Sequence, residues 1–496
     1  MRKRRFVLNT FTSLGYQLAT IICGLILPNL ILKAYGTEVN GLINSITQFL
    51  RVVCLSEFGI TAVIQSSLYE PLSTKDNKRI SEILTSSDSF FRKIALFLFI
   101  YVLVLCFLYP YLIKTSFDKV YVVALILILS FNSLAQYLFA FTNSQLLSAD
   151  QRSYIVSSSD IIATITNTIL CAIEINAGLG IHVVKLTTAI VYLIKPIITH
   201  YYVRKHYNVN RHTKYTTEPI KQKWNGVSQH IAYYIFTSTD VIVLTVFSTL
   251  SNVSIYSVYV LVLNGLKSLS SLFEHGIRSL MGEIWAKKEK DQLVRYFNTY
   301  EWFLFALSVF IFGCASTLIV PFVQVYTRNV YDANYYVPLF GLFITLAYLI
   351  QNVRSPYHTL IQSVGHYKET QLSYILSAFI NIVISVAMVY KYGLIGVAIG
   401  TLIAGMIETV WQATYLYKEI LNKSIILFLK LFMTYGLQFY ICFIVARLVK
   451  LHDFTYISWI KMAIPVALIW LVGTFCVSFI FFKENIEIIK SVLKKK

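Results

Sequence analysis

Two positively charged side chains lie deep within long apolar segments, and their neighbours are polar at helical spacing. Asn44 and Thr47 precede Arg51 in steps of three and four residues, and Asn264 lies three residues before Lys267. Steps of this size place side chains on one face of an α-helix. A charge at the centre of a bilayer costs at least ~3 kcal/mol on insertion scales, so it usually faces a water-filled cavity or an internal partner. The pattern predicts a cationic cavity that attracts an anionic group.

The face that carries Lys267 continues to Ser271, Glu274 and Arg278. This leaves a second interpretation open. Lys267 or Arg278 forms an internal ion pair with Glu274, or Arg278 extends its charged end toward the membrane surface.

Neutral polar side chains in other apolar segments extend the predicted cavity. They are amides, hydroxyls and a phenol, which suit sugar hydroxyls as hydrogen-bond partners. The set comprises Gln17, Asn44, Thr47, Gln136, Asn264, Tyr348 and Gln351, with Arg354 beside the last two. Any one of them also serves to hold helices together, at typically ~0.6 kcal/mol per contact. Because they recur in so many segments, a shared hydrophilic lumen is the favoured interpretation.

Acidic residues inside or near the apolar segments are candidates for ion or proton coupling. They are Asp160, Asp240 and Glu408, with Glu57 and Glu274 closer to segment ends. A lone carboxyl group in a medium of low dielectric constant exchanges protons or binds cations. The alternative for each is a salt bridge to a neighbouring Lys or Arg.

The composition sets the membrane context for these residues. Of the 496 residues, 56% are hydrophobic and 14% charged, and the mean hydropathy is +0.64. Soluble domains average about 25% charged residues, so a soluble enzyme, a disordered protein and a disulfide-rich secreted domain are excluded. The net charge of +19 fits cationic loops that orient membrane segments rather than nucleic-acid binding. The seven cysteines have no metal-binding spacing and are interpreted as small apolar side chains, with no metal and no cofactor.

Apolar runs of about 20 residues recur along the chain and predict an all-α polytopic membrane protein with about 14 transmembrane helices. The predicted spans are roughly 7–32, 39–66, 93–113, 120–147, 153–175, 181–202, 224–249, 253–284, 297–323, 335–361, 369–390, 394–417, 425–448 and 457–482.

A weak internal repeat divides these spans. Asn167 matches Asn381 at an offset of 214, and Gln136 matches Gln351 at an offset of 215. The offsets predict two pseudo-symmetric six-helix lobes in parallel orientation, followed by a helix pair. The predicted domains are listed in chain order: an N-terminal lobe (1–202), a basic cytoplasmic linker (203–223), a C-terminal lobe (224–420), and two further helices with a basic tail (421–496).

Most of the 43 Lys and Arg residues lie in or beside the connecting segments on one side of the predicted membrane. By the positive-inside rule, this predicts a multi-pass plasma-membrane protein with both termini in the cytoplasm. No connection is long enough for a soluble catalytic domain, and neither a P-loop nor an HExxH motif occurs. We therefore expect a protein that is not an enzyme.

Several segments resemble one transporter family. AYGTEVNGL (34–42), YDANYYVPL (331–339), NVRSPYHTLIQSVGHYKETQ (352–371) and YGLIGVAIGTLIA (392–404) occur in the order found in lipid-linked oligosaccharide flippases. These are Wzx-type polysaccharide transporters of the multidrug/oligosaccharidyl-lipid/polysaccharide exporter (MOP) superfamily. The resemblance covers most of the chain.

The resemblance implies two lobes around a central cleft and export of undecaprenyl-pyrophosphate-linked glycan for capsular, exopolysaccharide or cell-wall synthesis. It also implies that cations in the cleft hold the pyrophosphate, a role that falls here to Arg51, Lys267 and Arg278, with Arg354 as a further candidate. A polysaccharide polymerase and glycosyltransferases are the implied protein partners, besides the lipid bilayer.

Two other functions stay open. A cation-coupled multidrug exporter of the MATE type would use Asp160 and Asp240. An integral-membrane glycan polymerase or ligase would need catalytic residues in a large external loop, and the sequence offers no such loop.

Overall fold

The computed structural model describes residues 2–52, 57–211, 213, 215, 217–220, 238–271 and 274–494. Throughout these ranges the chain is helical with short connections, and they contain no β-strand. The prediction of an all-α fold is confirmed. The described residues form two compact units: 2–220 with 249–254, and 238–248 with 255–494.

The first unit contains the first eight helices. They are α1 (Arg2–Arg51), α2 (Glu57–Thr74), α3 (Asn77–Leu112), α4 (Lys119–Ala135), α5 (Phe141–Ala149), α6 (Ser153–Asn176), α7 (Ile181–Val191) and α8 (Ile194–His206). A π-helical segment, Gln136–Ala140, joins α4 to α5.

The second unit contains the remaining helices, except that the first residues of α10 belong to the first unit. They are α9 (Ser238–Phe247), α10 (Leu250–Ser271), α11 (Glu274–Ala286), α12 (Lys290–Tyr326), α13 (Pro338–Val353), α14 (Ser355–Val364), α15 (Tyr367–Tyr392), α16 (Leu394–Tyr415), α17 (Ile426–Ala446), α18 (Tyr456–Phe481) and α19 (Lys483–Lys494). A second π-helical segment, Leu416–Ile420, follows α16.

Eleven helices or joined helix pairs of the described residues are long and apolar enough to cross a membrane. Many large apolar side chains on them point outward, for example Phe107 on α3, Tyr440 on α17 and Phe475 on α18, each about two-thirds exposed. Such surface is unfavourable in water and favourable in hydrocarbon. The chain is therefore a multi-pass membrane protein.

The first two predicted spans, 7–32 and 39–66, differ from the observed helices. A single long helix, α1, covers 2–51 and bends at Gly36, where φ is 85° and ψ is 175°. A positive φ of this size is readily adopted only by glycine. The second predicted span also includes the start of α2, which begins at Glu57. Residues 53–56 lie outside the described part of the chain.

The predicted span 335–361 is broken into α13 and α14 at Arg354. Pro356 explains the break, because its ring and its missing N–H prevent continuation of the helix through residues 352–356. Of the predicted span 224–249, the structure describes only 238–247 in helical form.

Helices α17 and α18 pack on α12. The ring of buried Trp470 on α18 lies where a Cβ atom on Gly313 would be, only 2.3 Å away, so glycine is required there. Between α17 and α18, Gln438 donates to Thr474 at 2.8 Å, and the hydroxyls of Tyr435 and Ser478 lie 3.1 Å apart.

Candidate functional site

The second unit brings several predicted cavity residues into contact. α10 supplies Asn264 and Lys267 one turn apart, and α13 supplies Tyr348 and Gln351 with the same spacing. The Tyr348 hydroxyl donates to Asn264 Oδ1 at 3.0 Å, and Lys267 Nζ donates to Gln351 Oε1 at 3.2 Å. Lys267 Nζ also lies 5.9 Å from the centre of the Tyr348 ring, within cation–π range. Among the described residues, the groups that contact this half-buried ammonium directly are neutral.

One turn further along, Arg354 and Glu408 form a buried ion pair. The guanidinium of Arg354, at the break between α13 and α14, contacts the carboxylate of Glu408 on α16. Ser377 and Gln412 also donate to this carboxylate, at 2.8 and 3.1 Å. Lys267 interacts electrostatically with Glu408 as well. We call the residues Asn264, Lys267, Tyr348, Gln351, Arg354 and Glu408 the polar cluster; it holds two cations and one carboxylate.

A separate cluster surrounds Asp240 on α9. Its carboxylate is buried and accepts hydrogen bonds from the hydroxyls of Tyr256 (2.8 Å) and Thr401 (2.8 and 2.7 Å to its two oxygens) and from the Asn381 amide at 3.4 Å. Ser385 donates to Asn381 Oδ1 at 3.0 Å. We call these five residues the Asp240 cluster. Its oxygen-rich, cation-free surroundings suit a small monovalent cation or a proton.

The repeat positions share a local geometry. In the first unit Cys171 donates to Asn167 Oδ1 at 3.3 Å, and in the second unit Ser385 does the same to Asn381. Both pairs are four residues apart, and corresponding members differ by 214 positions.

In the first unit, the polar face predicted for α1 ends at Arg51, whose side chain is exposed. Asn44 and Thr47 are half-buried and donate to backbone carbonyls one turn earlier on α1, at 2.8 and 2.7 Å. Arg51, at the last residue of α1, is exposed and has no ion-pair partner among the described residues.

The other predicted residues of the first unit lie elsewhere. Asp160 on α6 is paired with Lys195 on α8 at 3.1 Å, as the salt-bridge alternative anticipated. Gln136 begins the π-helical segment and donates to the carbonyl of Tyr192 at 3.4 Å. Gln17 is half-buried on α1.

Three predicted residues lie near the ends of α2 and α11. Arg278 on α11 has a buried Nε atom without a hydrogen-bond partner in the described chain, while its carbonyl accepts from Ser363 at 3.1 Å. The side chains of Glu57 and Glu274 lie outside the described residues.

Some contributing residues were missed from the sequence. Thr401, Tyr256, Ser377 and Gln412 are ordinary residues of apolar segments whose role comes only from packing. A signal existed for one of them, since Gln412 follows Glu408 by one helical turn.

An apolar cavity of about 220 Å³ lies close to the polar cluster, among α12, α13, α16 and α17. Its lining includes Ile350 and Val353, which flank the cluster on α13, and Phe432, Gly436 and Phe439 on α17. The described residues contain no group of three or more His, Cys, Asp or Glu that could hold a metal ion.

No protein-family model matches this sequence, and no curated protein matches it. Solved structures do share its fold. The chain is similar to the lipid II flippase MurJ in an inward closed conformation, with a TM-score of 0.69, 18% identity, and coverage of 97% of this chain and 100% of that one.

Two further structures are similar over a smaller share of the chain. One is an inward-facing multidrug resistance MATE family transporter of the MOP superfamily, with a TM-score of 0.65, 12% identity, and coverage of 81% and 95%. The other is a MOP superfamily transporter from Pyrococcus furiosus, with a TM-score of 0.51, 14% identity, and coverage of 85% and 95%. The fold is that of these MOP-superfamily transporters.

Proposed function

We propose that the protein is a flippase, not an enzyme, that moves undecaprenyl-pyrophosphate-linked oligosaccharide repeat units from the inner to the outer leaflet of a bacterial plasma membrane. The observation that carries the proposal is the charge of the polar cluster. Among the described residues, Arg354 and Lys267 face one carboxylate, Glu408, so their two positive charges exceed the negative charge by one. Such an excess within a membrane protein favours binding of an anion, and a pyrophosphate is the anionic part of a lipid-linked glycan.

The extent of the structural match supports a lipid substrate over a drug. The match to the lipid II flippase covers 97% of this chain. The part left out is much shorter than α17 and α18 together, so the match includes most of these two helices. The multidrug transporter covers 81% of the chain. The whole architecture of this chain is therefore found in a protein that carries a lipid.

Within the proposal, Lys267 binds the pyrophosphate directly, and Arg278 in the same unit contributes further positive charge. Arg51, in the first unit, is a separate candidate for binding the same anionic group. Arg354 has a different part, because its guanidinium is already bound to Glu408. It holds the break between α13 and α14 in place beside Lys267. The amides and hydroxyls of Asn44, Thr47, Gln17, Gln136, Asn264, Tyr348 and Gln351 bind or hydrate the glycan. The apolar cavity beside α17 suits a segment of the polyprenyl tail, since its lining is almost entirely apolar.

We also propose that the Asp240 cluster binds the coupling ion. Among the predicted acids with described side chains, Asp160 and Glu408 are each paired with a cation, whereas Asp240 is surrounded by hydroxyl and amide groups. A buried carboxylate without a cation has the greatest gain from binding one. Alternating access between inward- and outward-open states then links ion movement to substrate movement.

The test is flipping of a fluorescent undecaprenyl-pyrophosphate oligosaccharide in liposomes that contain the purified protein. We expect Lys267→Ala to lower the flipping rate at least tenfold and the Arg51→Ala/Lys267→Ala double variant to abolish it, while Lys267→Arg keeps most activity because it keeps the charge. Lys418→Ala is the matched control, since the side chain of Lys418 is 80% exposed. Full activity of the double variant would contradict the assignment.

A second candidate is a cation-coupled multidrug exporter. The shared fold with MATE transporters and the cation-free surroundings of Asp240 favour it. The same liposomes separate the two functions: efflux of a cationic dye without any glycolipid flipping would establish the exporter.

A further inference from the structure

A second unpaired carboxyl group is buried in the second unit, at Glu301 on α12. Glu301 is only 1% exposed. Each of its oxygens accepts a short hydrogen bond from a tyrosine: Oε1 from Tyr357 on α14 and Oε2 from Tyr417 in the second π-helical segment, both at 2.6 Å. One side chain therefore ties together three separate elements.

Aromatic rings enclose this group. Phe297, one turn before Glu301, lies 6.1 Å from the ring of Tyr357 and 6.2 Å, edge-on, from that of Tyr417. Phe428 on α17 meets Tyr357 edge-on at 5.7 Å. In the described part of the chain no Lys, Arg or His forms an ion pair with Glu301, and the ionisable groups that face it are the two phenols. The surroundings thus have a low dielectric constant and supply no countercharge.

The other buried acids show what this arrangement can bind. Glu408 has the guanidinium of Arg354 as its countercharge. Asp240 lies among hydroxyl and amide oxygens that could surround a metal cation. Around Glu301 the two phenols supply the only polar atoms that hydrogen-bond to it among the described residues, and Phe297 packs against both of their rings. Too few oxygens are present for a metal cation, but a proton needs no further ligands.

We propose that Glu301, Tyr357 and Tyr417 form a proton-binding site, separate from the Asp240 cluster, that controls how firmly α14 is attached to α12. The ionised carboxylate accepts two charge-assisted hydrogen bonds, which are roughly twice as strong as neutral ones. When a proton is added to one oxygen, that oxygen becomes a donor. The phenol facing it then accepts, and its own hydroxyl hydrogen turns away. The carboxyl charge is neutralised and both hydrogen bonds become neutral. The cost of burying a charge without a countercharge is larger than what the stronger hydrogen bonds return, so α14 is held more firmly once the proton is bound.

The position of α14 connects the Glu301 site to the polar cluster. α14 starts immediately after Arg354, the residue that pairs with Glu408 in the polar cluster. Proton binding at Glu301 therefore fastens the helix that follows the break, next to the proposed substrate site, and loss of the proton loosens it. The inference concerns proton binding and helix attachment, and its test does not depend on the transported substrate.

The first measurement is infrared difference spectroscopy of the purified full-length protein in lipid nanodiscs, between acidic and alkaline pH. We expect a band from a protonated, buried carboxyl group that disappears in Glu301→Gln and persists in Asp240→Asn and Glu408→Gln. The Tyr357→Phe/Tyr417→Phe double variant keeps the carboxyl group and should shift the band to higher frequency, because its hydrogen bonds are lost. Tyr259→Phe is the control: it removes a buried phenol whose partner is the backbone carbonyl of Tyr335.

The second measurement is hydrogen exchange. Protection factors for residues 355–364 should rise at least threefold between alkaline and acidic pH in the natural protein and stay constant in Glu301→Gln. A carboxyl band unchanged in Glu301→Gln would overturn the proposal, as would the same pH dependence of α14 in both proteins. If Glu301→Gln fails to fold, the Tyr357→Phe/Tyr417→Phe double variant provides the test. An unshifted carboxyl band in that variant would show that the phenols do not contact the proton-binding group, and would overturn the proposal.

Discussion

At the scale of single residues, the partners of a charged side chain decide what it can do within the membrane. Arg354 and Glu408 neutralise each other, whereas Lys267 has neutral partners and Arg51 has no carboxylate among the described residues. Removing a charge from water is costly unless a partner or a ligand compensates it. The charges without a paired partner are therefore where substrates and ions are expected to bind.

The Asp240 cluster yields a prediction about coupling. In Asp240→Asn the charge is lost while size and hydrogen bonding are nearly kept, so we expect stimulation of transport by a sodium or proton gradient to vanish, with the basal rate changed less than threefold. Transport into liposomes, measured with and without each gradient, checks this.

Thr401→Val should weaken the same stimulation, because it removes the hydroxyl that lies 2.7–2.8 Å from both carboxylate oxygens. Thr409→Val is a matched control on α16: Thr409 is also buried, but it donates to the carbonyl of Gly405 in its own helix. Undiminished stimulation in Asp240→Asn would show that the coupling ion binds elsewhere.

At the scale of helices, the site residues lie where regular helices are interrupted. Arg51 ends α1, Arg354 lies at the break before α14, and Gln136 and Tyr417 lie in the two π-helical segments. Interruptions of this kind are frequent at functional sites, since they leave backbone groups free and allow helices to bend. Between these interruptions, some helices pack closely.

Helix α15 and helix α16 illustrate this close packing. A Cβ atom at Gly396 would lie 2.6 Å from the carbonyl oxygen of Met388, a backbone atom that cannot turn aside. We expect Gly396→Ala to destabilise the protein by roughly 1–3 kcal/mol and to lower the apparent melting temperature in detergent.

Gly265→Ala is the control for this prediction. It lies inside α10 with nothing within 4 Å of the added methyl group, so alanine should be neutral or should stabilise the helix by up to ~1 kcal/mol. Equal melting temperatures for the two variants would show that α15 and α16 can separate without cost.

At the scale of the whole molecule, the chain combines two compact units, a net charge of +19 and an even number of predicted spans. Cytoplasmic loops of membrane proteins are enriched in Lys and Arg, and this enrichment sets the orientation. The basic segments MRKRR at the start and KKK at the end of the chain are therefore predicted to lie on the same side of the membrane.

Reporter fusions test this orientation. We expect a green fluorescent protein fused at either terminus to fluoresce and alkaline phosphatase at either terminus to be inactive, because both ends are predicted to lie in the cytoplasm. Reporters inserted between α17 and α18, at residues 450–453, should behave in the opposite way. Opposite results at the two termini would require an odd number of spans.

The amino-acid sequence by itself determined the membrane environment, the helical class, and the polar residues Asn264, Lys267, Tyr348, Gln351, Arg354 and Glu408, because hydropathy and helical spacing are properties of short stretches of chain. It also gave Asp240 as one of several candidates for ion coupling, with a salt bridge as the alternative. Only the tertiary structure decided which of these charges are compensated: the pairing of Arg354 with Glu408, the neutral partners of Lys267, and the binding of Glu301 by Tyr357 and Tyr417 join residues 54 to 116 positions apart. Contacts over such distances depend on how helices pack, and no local pattern in the sequence encodes them.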